Sequence, residues 1–407
     1  MDAWGAGRTE VSRTDNFTIS GIDITNIDAL SGLTSIEGVL VIEFNDALTN
    51  IDGLSGLTSI EGALEIEFND ALTNIDGLAG LTSIAGLFEI FNNDALTNIN
   101  GLSGLTSIAG LIEIFNNDAL TNIDGLSGLT SIEGTLRINL NDALTNIAGL
   151  SGLTSIKGIL SIFNNDALTN IDSLSGLTSI EGELSIDSND ALTNIDGLSG
   201  LTSIARILQI YGNDALTNID GLSGLTSIEG TILIDRNAHL TNIDGLSRLT
   251  SIAGTLAISR NAALTNIGGL SGLTSIVGRL SIRNNSQLDD CCILLPLLNS
   301  SGIIEITGND NSCSSIDAIL EADCDLSSVE STVSEELIMY PNPTRDFLFS
   351  ELFKNELEVS VLDISGRLVF QSRVDNGRLD MSNLSVGCYL VSIHSKDNNF
   401  NVVIVKQ

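Results

Sequence analysis

A single 24-residue unit recurs along most of the chain, and no insertion or deletion disturbs its phase. With Asn45 as the first residue of a unit, the same asparagine returns at Asn69, Asn93, Asn117, Asn141, Asn165, Asn189, Asn213, Asn237, Asn261 and Asn285. The nearly constant part reads NDALTNIDGLSGLTSIEG. A fixed period of this length belongs to solenoids, in which each unit covers its apolar face only by stacking on the next. Aliphatic side chains hold positions 4, 7, 10, 13, 16, 20 and 22; in the second full unit these are Leu72, Ile75, Leu78, Leu81, Ile84, Phe88 and Ile90. The stretch Leu64 to Phe68 (LEIEF) alternates as a half-buried strand does. Elsewhere the spacing is three, with Gly at positions 9, 12 and 18, which fits short extended pieces joined by tight turns. No 3.6-residue period persists long enough for a full helix. The expected fold is therefore all-β: a right-handed parallel β-solenoid of one coil per unit, rising about 4.8 Å per coil. The asparagine at position 1 predicts an internal ladder to the backbone of neighbouring turns; a row of ligand-binding amides is the alternative.

Charge narrows the partners. The 407 residues carry a formal charge of −35, with only 17 Lys and Arg. Phosphate contacts need clustered basic side chains, so nucleic acid is excluded as an expected partner, and a polybasic membrane-surface segment is absent for the same reason. The acidity fits solubility and tolerance of salt. No stretch of 18 apolar residues occurs, so no transmembrane helix is expected. Residues 1–20 lack the basic region and apolar run of a signal peptide.

From Asn285 the pattern frays, and a helix-like CILLPLL replaces the usual turns. Residues 285–324 read as a C-terminal cap over the last apolar face of the 21–284 repeat array. Cys291, Cys292, Cys313 and Cys324 fall inside it. Their spacing lacks the paired CxxC of zinc ribbons, so two disulfides are expected. A vicinal bridge is strained, so Cys291 and Cys292 should each join one of Cys313 and Cys324, which places the chain in an oxidising compartment. Cys388 reads as a core thiol. No metal and no cofactor are expected. Residues 325–335 form a polar Ser- and Glu-rich linker, and 336–407 switch to short alternating strands with turn residues between them, as in a small β-sandwich.

Function has to sit where the repeat leaves freedom. Positions 21 and 23 should point outward from the strand, and position 23 carries Phe91, Phe115, Phe163 and Tyr211. Exposed aromatics on a rigid sheet are a platform for stacking sugars or anchoring a protein. A blander reading competes: where position 23 is Phe91, Phe115 or Phe163, position 24 is Asn, and where position 23 is Glu43, Glu67 or Asn139, position 24 is Phe44, Phe68 or Leu140. That is the pattern of one corner filled from either side. Acidic columns at positions 2 (from Asp46) and 8 (from Asp28) read as turn formers, since Ala148 and Gly268 interrupt the second and the calcium-binding nonapeptide is absent. Threonine and serine columns at positions 5, 14 and 15 admit an ice- or mineral-binding surface as an outside reading. Two histidines, His239 and His394, are too few to give nucleophiles a base, so no enzyme is expected.

Two resemblances follow from these residues. The run Leu40-Val-Ile-Glu-Phe-Asn45 fits the leucine-rich-repeat signature, and the whole unit resembles bacterial receptor L-domain repeats over residues 21–324. Tyr340-Pro341-Asn342-Pro343, Asp363 with Gly366-Arg367, Leu384 with Gly387 and Tyr389, and the terminal Val405-Lys406-Gln407 resemble the C-terminal sorting domain of the type IX secretion system. That second resemblance implies passage through the periplasm, recognition by the type IX machinery, and release or surface attachment at the outer membrane. It also implies a signal peptide, so the N-terminal segment is expected to be truncated. The functional expectation is adhesion to, or recognition of, a glycan or protein ligand; the rivals are a structural spacer and the ice-binding surface.

Overall fold

The computed structural model describes residues 11–299, 302–322, 324, 347–349, 357–363, 367–374, 378–385, 387–394 and 399–406. They fall into two compact units, Met1–Asp323 and Cys324–Gln407.

In the first unit every repeat makes one coil with three short segments. Positions 20 to 23 form a strand, as at Leu40–Glu43; positions 8 to 10 form a single 3-10 turn, as at Asp52–Leu54; positions 15 and 16 form a two-residue strand, as at Ser59–Ile60. The four-residue strands align in register (Leu40 opposite Leu64, Ile42 opposite Ile66) into one broad parallel sheet of thirteen strands, from Phe17–Ser20 to Ile303–Thr307. The two-residue strands make a narrower side, five strands and then seven, with the ladder broken between Ser107–Ile108 and Ser131–Ile132. The expected parallel β-solenoid is what the chain forms.

The aliphatic columns are its core. Leu72, Ile75, Leu78, Leu81, Ile84, Phe88 and Ile90 are all buried, and the equivalent residues of the following coils repeat them. Coils approach closely because position 9 is glycine: a Cβ on Gly77 would lie 1.9 Å from the Ile51 carbonyl oxygen of the coil before. Ser173 is the exception that shows the constraint. There the 3-10 turn lengthens to Asp172–Gly176, and the serine hydroxyl donates to that same inward carbonyl, of Ile147, at 2.8 Å.

Asn at position 1 builds the ladder. Asn117 Nδ2 donates to the Ile90 and Phe115 carbonyls at 3.1 and 3.0 Å and to Asn141 Oδ1 at 3.2 Å. Its own Oδ1 accepts the backbone N–H and Nδ2 of Asn93 at 3.3 and 3.2 Å. These side chains are fully buried, so the amides are a structural spine and not a ligand-binding row. At the last turn Asn309 continues the spine and closes it by donating to the Cys313 carbonyl at 3.1 Å.

A second set of rungs runs on the outside. Thr73 Oγ1 donates to the Thr49 carbonyl at 3.0 Å and Thr82 Oγ1 to the Thr58 carbonyl at 3.2 Å, a pattern repeated along positions 5 and 14. The turn at position 8 differs from expectation. Asn74 at position 6 accepts the Asp76 backbone N–H at 3.1 Å, while Asp76 itself opens the 3-10 turn as an exposed residue. An amide two residues upstream therefore makes the turn, and the aspartate is solvent-facing charge.

The cap carries a 3-10 stretch Cys292–Asn299, the last strand of the broad sheet, and one short α-helix, Ile316–Glu321. Cys291 and Cys313 are bridged, and Cys292 and Cys324 are disulfide-bonded as well. In the second unit Leu357–Asp363 lies between Leu368–Val374 and Gly387–His394 in an antiparallel sheet of four strands completed by Asn399–Lys406, and Phe347–Phe349 pairs with Arg378–Asp380. Val359, Val361, Leu379, Met381, Tyr389 and Val391 are buried there. The linker 325–335 and the Cys388 side chain lie outside the described residues.

Candidate surface on the broad sheet

Strand alternation puts positions 20 and 22 in the core and positions 21 and 23 on the outer face of the broad sheet. Position 24 then turns the corner in the left-handed region: Phe44, Phe68, Asn92, Asn116, Leu140, Asn164, Ser188, Arg236, Arg260 and Asn284 have φ between 51° and 57°, and Gly212 has φ 65°. Asn tolerates that conformation, whereas Phe, Leu and Arg adopt it under strain.

Along this corner the aromatics divide. Phe44 stacks on Phe68 at 4.9 Å between centroids, Phe68 meets Phe91 edge-on at 5.5 Å, and Phe91 stacks on Phe115 at 4.4 Å. The series passes from position 24 to position 23 without a gap, which is the corner filled from either side. Within this ladder Phe91 has a ring on either side, and Phe115 has one face covered by Phe91. Beside them Glu65, Glu89 and Glu113 stand in register at position 21. Burial pushes the Glu89 carboxyl above its ordinary value, and Glu113 and Glu65 push it further the same way. Glu67 is raised likewise, by burial and then by Glu43, Glu65 and Glu89.

Phe163 and Tyr211 stand apart from this ladder. Each is half-buried, and between them lies Asp187, paired in register with both. Asp187 Oδ2 accepts from Ser185 Oγ at 2.6 Å and from Gln209 Nε2 at 2.7 Å, while Oδ1 is buried without a hydrogen bond of good geometry. Burial raises the pKa of this carboxyl, against the pull of Ser185, Gln209 and the Tyr211 amide. The Tyr211 hydroxyl accepts from Arg236 Nη1 at 2.8 Å, and that guanidinium sits 5.6 Å from the ring centroid. Further along, Asp235 accepts from Arg260 Nε at 2.8 Å, from Arg260 Nη2, and from Ser259 Oγ at 3.1 Å. Phe163, Asp187, Gln209, Tyr211, Leu233, Asp235, Ala257, Ser259, Arg260 and Arg283 enclose a concavity of about 590 Å³. Small side chains at Ala257 and Ser259, between bulkier neighbours, make the hollow.

Residues 338–407 match the family model of the secretion system C-terminal sorting domain, and residues 128–196 match that of the receptor L domain. This is a secreted or cell-surface protein. It carries a type IX sorting tail behind a receptor-L-domain-like solenoid. No curated protein matches the chain. Of the sorting-motif residues, Gly387 opens its strand, and the buried Tyr389 donates its hydroxyl to the Ser385 carbonyl at 2.8 Å. Tyr340, Pro341, Asn342, Pro343 and Gly366 lie outside the described residues. No helix among the described residues is long and apolar enough to cross a membrane, and no cluster of three or more His, Cys, Asp or Glu among them is placed to hold a metal.

Two of the four aromatics singled out from the sequence, Phe163 and Tyr211, flank the hollow; the other two, Phe91 and Phe115, do not. Asp187, Gln209, Asp235 and Arg260 are the residues that aromatic spacing alone does not pick out. They are spread over three columns, Gln209 at position 21, Asp187 and Asp235 at position 23 and Arg260 at position 24, and position 21 changes there from the glutamate run at Glu65 to Glu113 to Gln209, Leu233 and Ala257.

Proposed function

We propose that the solenoid is a non-catalytic recognition module, exported through the type IX tail, that binds a glycan or protein ligand on the outer face of the broad sheet. The observation that supports it is the concavity between Phe163 and Arg283, where carboxylate, amide, phenol and guanidinium groups converge on strands held rigid by the asparagine spine. A spacer needs only the core and the two hydrogen-bond ladders, and gains nothing from a change of surface chemistry half-way along. The ice-binding alternative is weakened because the threonine hydroxyl hydrogens are committed to carbonyls of the preceding coil. The test is a screen of the purified chain against glycans and matrix proteins, repeated with Tyr211→Ser. A ligand lost by this folded variant supports recognition through this face; silence across the panel favours the spacer.

A further inference from the structure

The hollow on the broad sheet also carries information about what fills it. Three features decide. First, acceptors and donors are interleaved: the Asp235 carboxylate accepts, while the remaining guanidinium hydrogens of Arg260 and the hydroxyl hydrogen of Tyr211 donate. A ligand that satisfies both sets must offer many groups able to donate and accept at once, which is the property of hydroxyls. Secondly, Asp235 is neutralised by Arg260, and Arg283 faces Glu305 at 3.4 Å. Arg236 on Tyr211 offsets Asp187, and Glu305 is shared with Arg279, so the hollow carries no net negative charge of its own, and with −35 on the chain an anionic polymer is repelled at long range. Thirdly, the wall is made of inner strands of a parallel sheet whose backbone groups are paired on both sides, from Leu160–Phe163 to Arg279–Arg283. No free strand edge is offered there for a peptide to extend. The lining advances one coil at a time, from Phe163 through Asp187, Tyr211, Asp235 and Ser259 to Arg283, over roughly 24 Å at the usual inter-strand spacing. A pyranose unit advances a polymer by about the same step, so successive sugar rings meet successive coils.

We infer that residues Phe163 to Arg283 of the broad sheet form a subsite for an uncharged polysaccharide chain lying along the solenoid axis, with Tyr211 and Phe163 as apolar contacts and Asp235 as the hydroxyl acceptor. This rests on the recognition reading above and narrows it.

The test uses the full chain and isothermal titration with cellohexaose, laminarihexaose, xylohexaose and mannohexaose, alongside oligogalacturonate and a displayed random-peptide library. The variants are Asp235→Ala, Tyr211→Ala, Ala257→Trp and Phe91→Ser. Ala257→Trp fills the hollow without removing a polar group, at a column that elsewhere holds Glu, Arg, Gln and Leu, so it leaves the fold intact. The expected result is binding of at least one neutral hexasaccharide, weakened about tenfold or more by each of the first three variants and unchanged by Phe91→Ser. Two results overturn the inference: no neutral hexasaccharide binds, or one binds with equal affinity to Ala257→Trp and Tyr211→Ala. If oligogalacturonate or a peptide binds instead and is lost with Ala257→Trp, the sugar assignment falls while recognition through this face stands. If no probe of any class binds, both fall.

Discussion

The two halves of the broad sheet share one backbone and one core but differ in what covers them. From Phe44 to Phe115 the outer corner is a continuous stack of rings beside a column of glutamates. From Phe163 to Arg283 it is a hollow of mixed polar groups with two isolated aromatics. In the first half the variable positions interact mainly with each other, so their chemistry is used up in lateral packing. In the second half the groups are paired only partly, leaving hydrogen-bonding capacity turned to solvent. A repeat protein can thus assign stability and recognition to different lengths of the same sheet while its core stays constant.

The largest effect should be blind to this division. Asn117→Ala and Asn237→Ala, one in each half, each remove several buried hydrogen bonds and strand the carbonyls and amides of adjacent coils. Each should lower stability by on the order of 3–5 kcal/mol in denaturant titration; a marked difference between them would mean that the halves are not held by the same spine. Next, Phe91→Ser and Phe115→Ser should each destabilise by about 1–3 kcal/mol, because stacked, half-buried rings are lost, whereas Tyr211→Ser should stay below about 1 kcal/mol. Smaller and opposite in sign, Leu140→Gly should stabilise by about 0.5–1 kcal/mol: Leu140 is 37% exposed and holds a φ of 57° that glycine adopts freely.

The smallest effect is one of pH. Glu67 and Glu89 have raised folded-state values, so the folded protein binds protons more tightly than the unfolded chain. Their contribution is fully present below the ordinary glutamate value and is lost as pH rises through the raised one. Thermal unfolding should therefore show Glu89→Gln more stable than the parent at neutral pH and equal to it near pH 4, with added salt shrinking the difference.

Much of this was legible in the sequence because repetition multiplies the signal. Seven aliphatic columns and one asparagine column state the coil and its spine repeatedly, and a fold built of one unit stacked on itself leaves few alternatives. The aspartate at position 8 misled because Asp and Asn both favour turns; the amide at position 6 makes the bond, and the two are indistinguishable by spacing. Phe91 and Tyr211 occupy the same column of the alignment, yet only one is stacked between coils. What separates them is the residue at position 24 one coil away, Phe68 in one case and Ser188 in the other, a relation across coils that a column read alone does not show. The hollow was hidden for a related reason: it is made by smallness, at Ala257 and Ser259, and small residues carry no motif.

The most direct test of the division is to measure melting temperature and ligand binding side by side for Tyr211→Ser and for the Phe91→Ser, Phe115→Ser double variant. The account predicts that the first loses binding and keeps its melting temperature, while the second melts earlier and still binds. The reverse pairing, with binding lost in the ladder variant and retained without Tyr211, would contradict it.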